Sequence, residues 1–145
     1  MTQPSDAYVD WATGEGRSII EAVQKEWKPS VGDWVRTPEG LELVVGTQDT
    51  MEHGVLIHTA VAPITVLTGT GIWPRKDCCW CPSLSQWLDM IRDISDLEWF
   101  KAETFNHGRR WEFRGGIKDK VGQAAQDEMP EIAAAQLWGR LEGVG

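Results

Sequence analysis

Residues 79–87, Cys79-Trp80-Cys81-Pro82-Ser83-Leu84-Ser85-Gln86-Trp87, set two kinds of structure back to back. Cys79-Trp80-Cys81 reads as the end of a buried strand. Pro82 stops it, because proline gives a ladder no N–H. Ser83 and Gln86 then stand three apart, the spacing of a capping box, in which each side chain reaches the other's backbone N–H. Leu84, Trp87, Leu88, Ile91 and Ile94 follow at helical spacing. A β-rich half therefore gives way to a helix-containing half at Pro82, with no linker between them.

Upstream, residues 31–81 read as short strands. In 31–46, VGDWVRTPEGLELVVG, Trp34 and Val35 precede a Pro38-Glu39-Gly40 turn, and Leu41, Leu43 and Val45 alternate with Glu42 and Val44. That is a hairpin signature. The stretch resembles the first hairpin of SH3-like barrels, which implies a small antiparallel barrel or curled sheet. Further upstream, residues 5–12 form a short helix with Tyr8, Trp11 and Ala12 on one face. Gly14-Glu15-Gly16 breaks it. Ser18 and Glu21 repeat the capping-box spacing and open a helix carrying Ile20, Val23 and Trp27, which ends at Lys28-Pro29.

Downstream of the first helix, residues 97–116 read as a hairpin with Asn106-His107-Gly108 as its turn. A last helix starts near Pro130, since proline suits the first helical position, and carries Ala134, Leu137, Trp138 and Leu141 as its stripe. The expected fold is α+β. It has an N-terminal helical arm (1–30), a small antiparallel β lobe, SH3-like or curled (31–81), and an α-β-β-α lobe (82–145) with two helices on one sheet face.

Composition narrows the function. The 145 residues are 41% hydrophobic and 25% charged, with nine tryptophans, which is globular composition with material for a core. The net charge of −8 opposes long-range attraction to nucleic acid or anionic membrane. No apolar run is long enough for a transmembrane helix, and the first residues lack the basic and apolar regions of a secretory signal. A cytoplasmic location without membrane association is expected. An odd, clustered set of three cysteines does not suit a disulfide framework.

The second half carries a further resemblance. Trp80, Pro82, Ser83 and Gln86, then Pro130, Glu131 and Ala133, are similar to small uncharacterised proteins encoded by phages and prophages of Gram-positive bacteria. In these a strand ending in Trp-Leu-Pro-Ser/Thr enters a helix, a hairpin follows, and a last helix begins Pro-Glu-Glu-Ala. Cys81 departs from the pattern, standing where an apolar residue is usual. The resemblance implies a mobile-element origin and no mechanism.

Two constellations could carry chemistry. Cys78 and Cys81 have the C-x-x-C spacing of a zinc half-site, with His53 and His58, or one of them with Cys79, as candidates to complete it. The competing reading makes the cysteines small buried hydrophobes. Between residues 101 and 120, Lys101, Arg109, Arg110, Arg114, Lys118 and Lys120 face Glu103, Glu112 and Asp119, a local charge of +3 in an acidic chain. With Phe105, Trp111 and Phe113 interleaved, that hairpin could hold nucleic acid by phosphate contact and stacking, or be an ordinary half-buried strand pair. His107 falls in the turn. Gly-rich stretches at 14–16 and 68–71 lack the residues of phosphate-binding loops. Asp89 and Asp93 belong to a solvated helix face. The leading expectation is a non-catalytic binding or protein-interaction module, with a protein partner or self-association as a homo-oligomer and no cofactor. Nucleic-acid binding through the basic hairpin and zinc binding through Cys78 and Cys81 are the alternatives.

Overall fold

A computed structural model describes residues 3–61, 70–94, 101–105, 110–115 and 123–144. The chain is α+β, with helices at both ends of the sequence and two antiparallel sheets. It divides into two compact units, Met1–Ser5 with Val23–Cys81, and Asp6–Ala22 with Pro82–Gly145. The break after Cys81 falls where strand gives way to helix. Of the expected N-terminal helical segment, residues 6–22 fall in the second unit and residues 23–30 in the first.

The first unit is a five-stranded sheet. Strands β1 (Trp34–Thr37), β2 (Gly40–Thr50), β3 (Gly54–Val61) and β4 (Thr70–Pro74) pair in sequence, and β5 (Cys79–Trp80) pairs with β1, giving the order β4-β3-β2-β1-β5. A 3-10 turn, Arg75–Asp77, leads into β5. All of these strand pairings are antiparallel. The β2–β3 register slips between Val44 and Gly46. Such a bulge bends the strand and increases its twist, which is how an eleven-residue β2 follows a curled sheet. One face carries Val35, Val44, Ile57 and Trp80. The other carries Trp34, Leu43 and Ala60. All seven side chains are buried, as a curled sheet requires.

β5 is only two residues long, yet both its edges are held. Cys81 N–H donates to Trp34 O at 2.9 Å on the β1 side. On the other side the Gln24 amide acts as a substitute strand: its Oε1 accepts from Trp80 N–H at 3.0 Å and its Nε2 donates to Trp80 O at 3.2 Å.

The second unit is built around one helix. α4 (Pro130–Glu142) has Pro130 in its first turn and Gly143 in the left-handed conformation at its C-cap, φ 75°. Its residues Ile132-Ala133-Ala134-Ala135 and Leu137-Trp138-Gly139 are all buried. A helix apolar all round must be covered all round. The three-stranded sheet β6 (Lys101–Phe105), β7 (Arg110–Gly115) and β8 (Gln123–Asp127) covers it through β7 and β8, while α1 (Asp6–Thr13) and α3 (Leu84–Ile94) pack on it as well. The expected pair of helices on one sheet face is thus a stack, with α4 against the sheet and α3 against α4. The expected hairpin gains a third strand, and its turn, Asn106 to Gly108, lies outside the described residues.

Two locks close this unit. Tyr8 Oη donates to Pro82 O at 2.6 Å and accepts from Trp87 Nε1 at 2.8 Å, tying α1 to the start of α3. Trp87 meets Trp138 with ring centroids 5.7 Å apart. The Ser83–Gln86 capping box forms in both directions, Ser83 N–H to Gln86 Oε1 at 2.8 Å and Gln86 N–H to Ser83 Oγ at 3.2 Å. The Ser18–Glu21 spacing is put to another use. α2 (Arg17–Gln24) begins two residues earlier than a Ser18 cap would place it, with Ile20 N–H bonded to Gly16 O, and Glu21 pairs with Arg17 at 2.9 Å.

Candidate functional site

In the first unit the residues that follow β4 build a cationic corner. Arg75 comes from the 3-10 turn, and its Nη2 donates to Gln24 O at 2.8 Å and Trp27 O at 2.6 Å. Gln24 ends α2 and its carbonyl also accepts from Trp27 N–H at 3.2 Å, while Trp27 lies just beyond the helix. The guanidinium carbon stands 5.6 Å from the centre of the Trp27 ring, a cation–π arrangement. Trp27 stacks on Trp80 at 6.1 Å and 15°. Its Nε1 donates to Asp33 Oδ2 at 2.9 Å, and the same oxygen accepts from Ser30 N–H at 3.0 Å. Buried Asp33 thus fixes Trp27, and Trp27 fixes Arg75.

Two clefts share this corner. One, of about 550 Å³, is lined by the apolar residues Val55, Leu56 and Pro74 and has a rim of Glu52, His53, Arg75 and Lys76. The other, of about 340 Å³, lies between Gln24, Trp27, Arg75, Lys76 and Cys78. Lys76 is exposed, and the His53 side chain is 68% exposed, 3.9 Å from Glu52. Two exposed apolar side chains, Met51 and Ile72, belong to the same lobe. The combination of a fixed cation, exposed charges on the rim and apolar lining residues suits a ligand with carboxylates beside apolar groups.

The interior of the same lobe holds a carboxylate that strand alternation alone did not single out. Glu42 is 2% exposed and accepts hydrogen bonds from Thr37 Oγ1 and, at 2.9 Å, from Thr59 Oγ1. The three residues lie on β1, β2 and β3, so the cluster pins three strands together. A buried carboxylate is tolerated because it is hydrogen-bonded. A side chain at Gly71 would meet Trp73 Nε1, Thr59 Oγ1 and Glu42 Oε1 within 3.2 Å, which explains the glycine.

The cysteines are separated by strand geometry. Neighbouring side chains on an extended chain point to opposite faces, so Cys78 shares a face with Trp80, and Cys79 and Cys81 share the other. Burial, Asp77, Glu42 and Cys79 push the Cys78 thiol from 9.0 up to about 12. Cys81 is also raised, first by its hydrogen bond with Cys79 and then by burial, with Arg36 opposing. His53 sits in the β2–β3 turn, and His58 lies mid-strand, 3.4 Å from Gln48 Oε1. Cys78 and Cys81 therefore face apart, and among the described residues no three His, Cys, Asp or Glu side chains gather where they could share an ion.

The basic hairpin is described in part. Lys101 stands opposite Arg114, and Arg110 opposite Phe105. Arg114 Nη2 bonds Glu112 Oε2 at 2.9 Å, and Gln126 Nε2 reaches Glu112 Oε1 at 3.3 Å. Phe113 is buried and stacks with Trp111 at 6.4 Å. Arg109 and Lys118 lie outside the described residues. Asp89 pairs with Arg92 at 3.5 Å on the exposed side of α3. Among the described residues no helix is long and apolar enough to cross a membrane. No protein-family model, curated protein or solved structure matches the chain.

Proposed function

We propose that the chain is a non-catalytic binding module, of phage or prophage origin, which takes an acidic segment of a protein partner into the Arg75–Lys76 groove. The observation that carries this reading is Arg75 itself. Two backbone carbonyls and the Trp27 face hold its guanidinium at a cleft wall, so little entropy is lost when a carboxylate pairs with it. The apolar lining residues beside it supply contact area, and Lys76 and His53 supply rim charge. The polar groups of the interior are spent on the fold: Asp33 on Trp27, Glu42 on two threonines. The clustered thiols support a reducing, cytoplasmic setting.

Nucleic-acid binding draws less support, because Arg114 is engaged by Glu112. Zinc binding by Cys78 with Cys81 draws less because the two face apart. The test is selection of a random peptide library on the immobilised protein. Enriched peptides should carry Asp or Glu flanked by apolar residues, and Lys76→Glu with His53→Glu should abolish their binding while leaving the thermal midpoint in place. Enrichment of basic peptides, or acidic peptides that bind the double variant equally well, would overturn the reading.

A further inference from the structure

The thiol pair that the fold brings together is Cys79 with Cys81, not the pair with C-x-x-C spacing. They are two apart on extended backbone, Cys81 directly following β5, hence on one face, and the Cys81 thiol folds back to donate to Cys79 O at 3.7 Å. Their backbone is fixed. Cys79 is the ladder partner of Arg36, Cys81 is bonded to Trp34 O, and Gln24 clamps Trp80 between them. β5 ends the strand order of the sheet. Cys79 is half-buried and Cys81 is 1% exposed, so the pair has one open side and one shielded side.

We propose that Cys79 and Cys81 together form a two-thiolate site for Cu(I). Three ways of using two such thiols compete. A disulfide is disfavoured, because residues two apart on a strand have Cα atoms about 6.6–6.8 Å apart, the upper limit of what the bond spans. Zinc wants four donors in a tetrahedron. Cu(I) is soft, prefers thiolate, and is satisfied by two sulfurs on opposite sides of the ion, which suits a pair held apart on a strand. Binding is proton exchange without redox change: each thiol releases one proton and each sulfur forms one bond to copper. The product, two thiolates on one Cu(I), carries a single negative charge, and Arg36, on the same face as Cys79, offsets it.

The test is anaerobic titration of the fully reduced protein with Cu(I), in competition with a chromogenic Cu(I) chelator. The expected result is one Cu(I) per chain. Affinity should fall by about two orders of magnitude in Cys79→Ser, which alters a half-buried side chain, and change by less than about threefold in Cys78→Ser. No copper retained against the chelator, or equal losses in the two variants, would overturn the proposal. Copper X-ray absorption on the wild-type protein gives a reading independent of any variant's folding. Two sulfur neighbours are expected, and a shell dominated by nitrogen or oxygen would refute the site.

Discussion

A thiol that ionises at Cys78 would bring new negative charge into an interior beside Asp77 and Glu42. Its raised pKa is therefore also a statement about stability. An exposed thiol in the unfolded chain loses its proton near 9.0, while the folded one keeps it to about 12. Between those values the folded state binds more protons, so stability is fully present below the window and is lost as pH rises through it. The loss is about 1.4 kcal/mol per pH unit. Urea titrations across the window should show a steeper fall for wild type than for Cys78→Ala. Parallel slopes would mean that the thiol titrates as it does in water. Glu42 shows what a sequence hides at this scale. Its place between Leu41 and Leu43 reads as a polar, outward position, yet Thr37 and Thr59, which make its burial tolerable, come from two other strands. Pairing across strands is not visible in a local alternation.

At the scale of elements the chain offers its own controlled comparison. The spacing Ser-x-x-Glu/Gln occurs at 18–21 and at 83–86. Only the second is a working cap. Pro82 leaves Ser83 at the true start of α3, whereas α2 is already under way from Gly16 when Ser18 is reached. Ser83→Ala should therefore cost about 1 kcal/mol in denaturant unfolding. Ser18→Ala should cost close to nothing, and Glu21→Ala likewise, because the Arg17–Glu21 pair has both side chains more than half exposed. Equal costs at Ser83 and Ser18 would mean that both boxes cap. The elements that could be read were those with local signals: the Pro82 boundary, the Pro38-Glu39-Gly40 turn and the proline start of α4. β8, Gln-Ala-Ala-Gln-Asp, could not, since it has neither β-branched residues nor alternation. It becomes a strand because β7 offers a ladder and Phe113 needs a small neighbour, which Ala125 supplies.

At the scale of the molecule, the chain enters its second unit twice, through Asp6–Ala22 and again from Pro82 onward. The apolar stripe on residues 5–27 announced that the arm must pack, but not where, because a stripe names no partner. What decides it within the second unit is specific. Tyr8 satisfies both Pro82 O and Trp87 Nε1, and Ile19 lies so close to Gly139 that a Cβ there would meet it at 3.0 Å. Without the first segment, Trp87, 0% exposed, loses its hydrogen-bond partner Tyr8, and Gly139 loses the Ile19 side chain packed against it. Leaving one buried donor unpaired costs about 1–3 kcal/mol, a large share of the stability of so small a unit. A fragment of residues 82–145 should therefore show no cooperative thermal transition by near-ultraviolet circular dichroism. The same fragment with residues 6–22 joined to its N-terminus by a flexible linker should melt cooperatively. In the joined chain, Tyr8→Phe should lower the midpoint, because it removes the hydroxyl and leaves the ring. If residues 82–145 alone give the full cooperative transition, the first segment is cover rather than core, and the second unit is the contiguous lobe that the sequence suggested.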